Sequence, residues 1–341
     1  MKKNIFIENI NGNITSRPPV WFMRQAGRIL PSYLKLKQNY SFDEMMQNKE
    51  LAAKVTLLPL DDLGVDAGIL FSDILVIPKA LGLELEFTAK GPKFHNALGE
   101  NIDIENLKFN PQKLDYIYNN IKEIKYQRPK TPLIGFCGGP LTTFLFMFRR
   151  NELNKDFNHV IKLFYKERKK CIKIMEMITE ASIEYVNKQV DCGIDCFQLF
   201  ETYCGIIPEE QYTEFILPFS RKILNAAMNK NCKTIFFPKN YNLGLKHLNK
   251  DICDIASVDW QIPIETARTL LNSDIGIQGN MDPRLFFSDK KEIEKYLISL
   301  SNFGQKNTNW IFNLGHGFIP GIDVKNVNFV VDWVKNYNWC R

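Results

Sequence analysis

Residues 196–202 read CFQLFET, a short apolar and aromatic run that ends in the polar side chains of Glu201 and Thr202. A run of this length, stopped by polar or turn-forming residues, predicts a buried β-strand. Similar runs recur along the chain and make eight candidate strands, at residues 19–23, 67–71, 133–137, 196–200, 234–238, 255–260, 275–280 and 310–315.

The segments between these runs carry apolar residues at spacings of three and four with charges between them, which predicts amphipathic helices. The clearest examples are residues 41–60, 111–126, 157–188, 208–228 and 324–335. Dividing 341 residues among eight runs leaves about 43 residues per strand-helix unit. We therefore predict an α/β fold with one domain over residues 1–341, a (β/α)8 TIM-type barrel. A doubly wound open sheet is the alternative.

The composition excludes several classes of protein. The chain has a hydrophobic fraction of 45% and a charged fraction of 24%, which are values of folded, water-soluble proteins rather than of disordered or coiled-coil chains. Its net charge of 44 − 38 = +6 suits an anionic partner without requiring nucleic acid. No stretch approaches the roughly 18 apolar residues of a membrane span, and the N-terminus lacks the apolar core of a signal peptide. These features predict a cytoplasmic protein that is not anchored to a membrane.

The usual signatures of metal, nucleotide and nucleic-acid binding are missing. The eight cysteines are scattered rather than set at metal-ligand spacings, which also favours a reducing compartment. Neither a G-x-G-x-x-G nor a P-loop motif occurs, and there is no G-x-S-x-G motif. The basic run KERKK at 166–170 lies in a predicted helix and is typical of a solvated helix face.

Polar side chains follow nearly all of the eight runs. This matters because the active sites of (β/α)8 barrels gather at the carboxyl ends of the strands. In chain order these residues are Arg24 and Arg28, Ser72 and Asp73, Glu201 and Thr202, Lys239 and Asn240, Asp259, Asn280 and Asp282, and Asn313 and His316. The third run is followed instead by two glycines, which leave room for a close backbone approach.

Three groups of these residues are candidate functional sites: the arginine pair, Asp73 and His316. If the segment after the first run is helical, Arg24 and Arg28 share one face, with the Gln25 amide beside them, and two guanidinium groups can hold several carboxylates. Asp73 lies between two apolar runs, so we expect a partly buried carboxylate that has a partner or a raised pKa. His316, between two glycines, can donate a hydrogen bond or exchange a proton near neutrality. The structural alternatives are a solvated helix end, a helix cap or ion pair, and a turn histidine, respectively.

Six segments together make the chain resemble the uroporphyrinogen decarboxylase family, and they occur in the order of that family. They are PPVWFMRQAGRILPSY, ELAAKVTLLPLDDLGVDAGILFSDILVIPKALGLELEF, PLIGFCGGPLTTF, FQLFETYCGIIPEEQYTEFILPF, GIQGNMDPRLFF and FNLGHGFIPG. The resemblance runs from about residue 17 to residue 337 and is highly specific, because the first motif together with FSDIL and NLGHG is hard to obtain by chance.

The resemblance implies a distorted (β/α)8 barrel whose long βα loops form the active-site cleft, and a homodimer whose two clefts face each other. It implies an enzyme of haem biosynthesis, a carboxy-lyase without cofactor or metal. Its substrate is uroporphyrinogen III, a polyanionic tetrapyrrole whose four acetates become methyl groups as coproporphyrinogen III forms. The substrate-binding residues carried over from the family motifs are Arg24, Gln25, Ala26, Gly27, Arg28, Asp73, Thr202 and His316.

One position departs from the family pattern. Where family members usually have a tyrosine that reaches the substrate, often before a glycine-rich segment, this chain has Phe146, with Arg149 and Arg150 nearby. Losing one hydrogen bond to a charged group costs on the order of 1 to 3 kcal/mol, which slows an enzyme without abolishing its activity.

The same resemblance suggests a mechanism, in which Asp73 accepts hydrogen bonds from the pyrrole N–H groups and Arg24 delivers a proton. Two other functions stay open. One is a corrinoid-linked methyltransferase of the same superfamily, although no histidine here is followed two residues later by the cysteine of its zinc motif. The other is a tetrapyrrole-binding protein without catalysis, which Phe146 favours and which the retained Asp73, Arg24 and Arg28 disfavour.

Overall fold

The structure is a computed structural model that describes residues 4–27, 29–88, 91–99, 104–149 and 157–341. Seven strands form one parallel sheet in the order of the sequence, and two others form an antiparallel hairpin. In chain order the strands are β1 Gly68–Ile69, β2 Leu85–Thr88, β3 Gly91–Phe94, β4 Leu133–Gly138, β5 Cys196–Glu201, β6 Lys233–Pro238, β7 Ile255–Ser257, β8 Gly276–Met281 and β9 Trp310–Leu314. The hairpin is β2 with β3, and the order in the parallel sheet is β1-β4-β5-β6-β7-β8-β9.

The first of the eight predicted strands is reduced to a single parallel bridge, from Val20 to Phe312 in β9. On its other side Val20 joins the segment that enters β1, because its C=O accepts from the Asp66 N–H at 2.8 Å and its N–H donates to Asp66 Oδ2 at 2.7 Å. The last strand is thereby connected to the first. The predicted TIM-type α/β fold is confirmed, and the sequential strand order excludes the doubly wound alternative.

Asp66 is held in place by Arg17. The two guanidinium nitrogens Nη1 and Nη2 donate to Oδ2 and Oδ1 of the carboxylate at 2.7 and 2.8 Å. The two side chains are only 15% and 9% exposed, so water screens this bidentate pair weakly. The pair therefore fixes the carboxylate that receives the N–H of Val20.

The helices pack around the sheet. They are α1 Ile5–Ile10, α2 Pro31–Lys37, α3 Phe42–Gln47, α4 Lys49–Asp62, α5 Val76–Ala80, α6 Asp115–Gln127, α7 Pro140–Met147, α8 Asn158–Lys166, α9 Arg168–Asp191, α10 Glu209–Gln211, α11 Leu217–Met228, α12 Ile264–Leu270, α13 Lys290–Ser299, α14 Ser301–Lys306 and α15 Val324–Asn336. None of the helices in the described ranges has the length and apolar content that crossing a bilayer requires.

Three of the predicted helices are interrupted. The helix predicted over 41–60 breaks at Asn48, whose side chain accepts from the Leu51 N–H at 2.9 Å and so caps a new helix. The helix predicted over 157–188 breaks at Glu167, whose φ of −121° and ψ of 40° are not helical. In the segment 208–228 a π-turn precedes α11, because the proline in the first turn of α11 has no N–H to continue the α-helical ladder.

A buried polar cluster crosses the inside of the barrel. Gln278 in β8 donates from Nε2 to Ser257 Oγ at 2.9 Å and to Gln198 Oε1 at 3.3 Å. Its Oε1 accepts from the indole N–H of Trp21 at 3.0 Å. These bonds connect β5, β7 and β8 to the segment that closes the barrel, which makes the interior a packed core rather than a pore.

A second buried carboxylate connects β5 to the start of α7. Glu201 Oε2 accepts from the Leu141 N–H at 3.1 Å, and Oε1 accepts from the N–H of Thr142 at 2.6 Å and also from its hydroxyl. Gly139 has to be glycine here, because a Cβ atom would lie 2.5 Å from the carboxylate. Burial raises the pKa of Glu201 to about 7, while its hydrogen bonds lower it.

We expect the Asp66→Ala variant to lose about 3 to 5 kcal/mol of unfolding free energy, because the mostly buried guanidinium of Arg17 is left without its partner. The matched control is Asp61→Ala, whose ion pair with Arg128 is 2.6 Å long but 54% and 41% exposed. That change should cost about 1 kcal/mol or less. Urea unfolding measures both, and equal losses in the two variants would contradict the role of Asp66 in closing the barrel.

We also expect Glu201 to make stability depend on pH. Its folded-state pKa of about 7 exceeds the ordinary value of 4.5, so the protonated acid stabilises the fold below pH 4.5, and this contribution disappears as the pH rises to about 7. The slope reaches at most about 1.4 kcal/mol per pH unit. Urea unfolding between pH 5 and 8 should show that Glu201→Gln lacks this component and that the exposed Glu210→Gln control retains it. If the unfolding free energies of wild type and Glu201→Gln changed with pH in parallel, the proposed contribution of Glu201 would be refuted.

Candidate functional site

The carboxyl ends of the strands bring Arg24, Asp73, His316 and Lys239 into one electrostatic neighbourhood. The charge of Arg24 lowers the pKa of both Asp73 and His316, and the charge of Lys239 lowers that of His316. The Arg24 side chain also runs against the backbone of Gly317, where a Cβ atom would lie 2.4 Å from Cδ of Arg24. Three separate predictions from the sequence therefore meet in one cleft.

The segment after the first run is a turn and not a helix, so the predicted shared helical face is wrong. Arg24 has a φ of 62°, the left-handed conformation that only glycine adopts without a steric cost. The turn is stabilised by Gln25, which is fully buried; its Oε1 accepts from the Phe22 N–H at 2.9 Å and its Nε2 donates to the Ala67 C=O at 2.8 Å. Arg28 lies outside the described residues.

Gln25, Ala26 and Gly27, the residues after Arg24, are all at least partly buried. Both ends of the Gln25 amide are bonded to the backbone, so this side chain orients the turn that carries Arg24. Ala26 is half-buried and Gly27 is buried, and the Gly27 C=O accepts from the Leu30 N–H at 3.1 Å.

Asp73 lies just beyond β1 and is half-buried. Its Oδ1 accepts from the Leu75 N–H at 2.8 Å, a local turn contact; the N-cap of α5 is Leu75, so Asp73 is not the helix cap considered as an alternative. The second oxygen has no hydrogen bond within the described part of the chain. Burial raises the pKa of Asp73 to about 6, against the lowering effects of the Leu75 N–H and of Arg24, and Asp43 raises it further. A carboxylate that burial destabilises and that keeps one oxygen available is suited to bind N–H donors.

His316 follows β9 and stacks on Phe237, with ring centroids 6.2 Å apart and an interplanar angle of 24°. Trp260 lies against it at 6.4 Å. Burial, then the charge of Arg24 and that of Lys239, lowers the pKa of His316 to about 3. The imidazole is therefore neutral at physiological pH in this structure and offers one N–H donor and one acceptor.

Thr202 follows β5 directly, and Phe146, near the end of α7, packs beside the same segment. Thr202 is half-buried and sits between Glu201 and Tyr203, whose N–H donates to Thr142 Oγ1 at 3.1 Å. Phe146 is 8% exposed and packs on Tyr203, at 5.7 Å between ring centroids, and on Phe157 at 5.9 Å. The Arg149 guanidinium lies 5.4 Å from the Phe146 ring. Arg150 is outside the described residues.

Sequence reasoning placed Lys239 after the fifth run but assigned it no role, and it did not single out Trp260. The Lys239 ammonium lies 5.6 Å from the centre of the Trp260 ring. Nothing in the local sequence brings these two residues together, since they follow different strands. Their contact is a consequence of strand order.

No three His, Cys, Asp or Glu side chains in the described ranges form a group that could hold a metal ion. All eight cysteines are free thiols, and six of them are buried.

Comparisons with known proteins identify the family of the chain. A family model described as Uroporphyrinogen decarboxylase (URO-D) matches residues 1–337. A protein named uroporphyrinogen decarboxylase from Trichlorobacter lovleyi is 35% identical over 334 residues, covering 97% of this chain and 98% of the relative. A protein of the same name from Geobacter metallireducens is 34% identical, with coverage of 97% and 98%.

Among solved structures, a methyltransferase from Methanosarcina mazei is similar, with a TM-score of 0.77 and 18% sequence identity over 98% of each chain. This likeness shows the fold and nothing about the reaction. The family model and the two relatives, in contrast, match by sequence over almost the entire length. The chain therefore belongs to the uroporphyrinogen decarboxylase family.

Proposed function

We propose that this protein decarboxylates the four acetate side chains of uroporphyrinogen III to methyl groups, giving coproporphyrinogen III and four CO2 in haem biosynthesis. The observation that carries the proposal is the position of Asp73, a half-buried carboxylate in the same cleft as Arg24 and His316. Such a cleft fits a substrate with N–H groups at its centre and carboxylates at its edge.

Each decarboxylation leaves an electron pair that needs an acceptor. We propose that the substrate itself serves, because a pyrrole protonated at the ring carbon beside the acetate is a cation that takes up these electrons, so that no cofactor is required. Asp73 accepts hydrogen bonds from the pyrrole N–H groups and stabilises the positive charge as it develops. After CO2 leaves, a proton delivered to the exocyclic carbon completes the methyl group, and the ring carbon gives up its added proton to restore the pyrrole.

The remaining site residues hold and orient carboxylates. Arg24 and Arg28 bind them through charge-assisted hydrogen bonds, His316 donates a neutral one, and Thr202 adds a hydroxyl contact. Arg24 is our candidate proton donor, although a guanidinium is a weak acid and gives up its proton reluctantly.

We further propose a cytoplasmic homodimer with facing clefts. Two large apolar side chains on the segments that follow β6 and β8 support it, since Leu243 is 63% exposed and Phe287 is 56% exposed. Both segments lie at the cleft end of the barrel, where a second copy would cover them. Light scattering after gel filtration gives the mass in solution, and a monomer of 39.7 kDa would refute the dimer.

The function is tested by anaerobic incubation of the metal-stripped protein with uroporphyrinogen III, followed by oxidation and chromatographic counting of porphyrin carboxyls. Stepwise conversion from eight to four carboxyls establishes a decarboxylase that needs no cofactor. An unchanged octacarboxylic product, with binding still detectable, would instead indicate a tetrapyrrole carrier.

We expect Asp73→Asn to lower kcat/KM by about 100-fold or more, because an amide cannot stabilise the cationic intermediate as a carboxylate does. Wild-type activity should also fall as the pH drops below about 6, where Asp73 takes up a proton. Asp323→Asn is the matched control, since Asp323 accepts from the N–H two residues ahead at 2.9 Å but is exposed. Near-normal turnover of Asp73→Asn would sink the proposed role.

We expect Phe146→Tyr to leave kcat/KM equal or to raise it by up to about tenfold, because the new phenol restores one hydrogen bond to a carboxylate. Phe144→Tyr, in the same helix, is the control for the added oxygen. Phe144 is fully buried, so the hydroxyl that Phe144→Tyr adds should lower the melting temperature without raising activity. A large loss of activity in Phe146→Tyr would show that the cleft is built around phenylalanine here.

A further inference from the structure

The backbone of Lys239 is fixed at the point where β6 ends. Its N–H donates to the Glu201 C=O at 3.1 Å, and its C=O accepts from the Gly205 N–H at 3.1 Å. The next residue, Asn240, donates its N–H to Asp259 Oδ2 at 2.6 Å. Lys239 is therefore tied to the ends of β5 and β7 and presents its side chain from a rigid position.

The ammonium group of Lys239 has no carboxylate partner in the described part of the chain, although the side chain is half-buried. Two other half-buried lysines are paired, Lys125 with Asp195 at 2.9 Å and Lys233 with Asp254 at 3.2 Å. The only aromatic support of Lys239 within the described residues is Trp260, with the ammonium 5.6 Å from the ring centre. A partly desolvated cation without a counter-ion is able to bind an anion from outside the protein.

The surroundings of this ammonium indicate what would complete it. Arg24 and Lys239 both act on His316, so the wall of the cleft around that ring is positive. Arg284 also lies 5.3 Å from the Trp260 ring, but Asp282 already neutralises it at 2.6 Å. Lys239 thus contributes a positive charge beside His316 that no carboxylate of the described residues neutralises. An incoming anion meets it without displacing an internal partner.

We propose that Lys239 is a further substrate-binding residue, whose ammonium group, supported by the Trp260 ring, binds a carboxylate side chain of the tetrapyrrole. This inference rests on the proposed function for the identity of the substrate. The carboxylate belongs either to an acetate, which the reaction removes, or to a propionate, which it leaves. An acetate contact would help only substrates that still carry that acetate, whereas a propionate contact would help every intermediate.

The test compares Lys239→Met, Lys239→Gln and Lys239→Arg with Lys222→Met. Lys222 is a matched control, because its ammonium also lies 5.6 Å from an aromatic ring, that of Phe219, but it is exposed on α11. Binding is measured by fluorescence titration with two stable porphyrins, the octacarboxylic uroporphyrin III and the tetracarboxylic coproporphyrin III, at several salt concentrations. Turnover of uroporphyrinogen III and thermal unfolding are measured on the same variants.

We expect the two neutral variants to raise the Kd for uroporphyrin and the KM for uroporphyrinogen by about tenfold, the loss of one charge-assisted hydrogen bond. Their binding should depend less on salt than that of wild type, because one screened attraction is gone. Lys239→Arg should recover most of the affinity, and Lys222→Met should match wild type. An equal loss for coproporphyrin assigns the contact to a propionate; a loss for uroporphyrin alone assigns it to an acetate.

The proposal is overturned if both neutral variants bind uroporphyrin with wild-type Kd and salt dependence. It is also overturned if their loss of affinity comes with a lower melting temperature and is not recovered in Lys239→Arg, since Lys239 would then be structural. Failure of the proposed function is a separate result. A wild-type protein that binds uroporphyrin through Lys239 but does not decarboxylate uroporphyrinogen loses the enzymatic function and keeps this binding site.

Discussion

Closure of the sheet at Asp66 is the constraint on which the rest of the site depends. The Asp66 carboxylate accepts hydrogen bonds from the Val20 N–H and from both Nη atoms of Arg17. Val20 in turn forms a β-bridge with Phe312 in the last strand, β9. Parallel strands bring their carboxyl ends to one edge of the sheet. Residues from the first and last segments meet there only if the sheet closes on itself. Arg24, four residues beyond Val20, lies against Gly317 for this reason. An open sheet with the same strands would leave them at opposite edges.

The cleft gathers charges whose burial is not fully compensated inside the protein. Burial destabilises the ionised form of Asp73 and the protonated form of His316, so the pKa of the acid rises to about 6 and that of the imidazole falls to about 3. Glu201 is more deeply buried and its pKa is also raised, to about 7, but both of its oxygens accept hydrogen bonds from backbone or hydroxyl donors. The contrast separates two uses of a buried carboxylate. Glu201 holds β5 to α7, while Asp73 keeps an oxygen for a ligand.

Most of the fold could be predicted from local patterns, and each error of the prediction has a physical cause. The apolar runs correspond to strands because burial on both faces selects continuous apolar sequence. The helix predicted over 41–60 failed at Asn48, since amphipathic spacing continues across a cap that interrupts the backbone. The helix considered for the segment around Arg24 was wrong for a different reason. Gln25 forms its hydrogen bonds with Phe22 and with the distant Ala67, a partner that no local pattern contains.

The sequence by itself determined the strand-helix alternation, the family resemblance, and Asp73, Arg24 and His316 as candidates, because each is a property of neighbouring residues. Tertiary structure alone decided that Gln25 supports the turn, that Phe146 packs between Phe157 and Tyr203, and that Lys239 faces Trp260. Such contacts join residues far apart in the chain. Their geometry, and the desolvation that sets their electrostatics, exists only when the closed barrel brings the strand ends together.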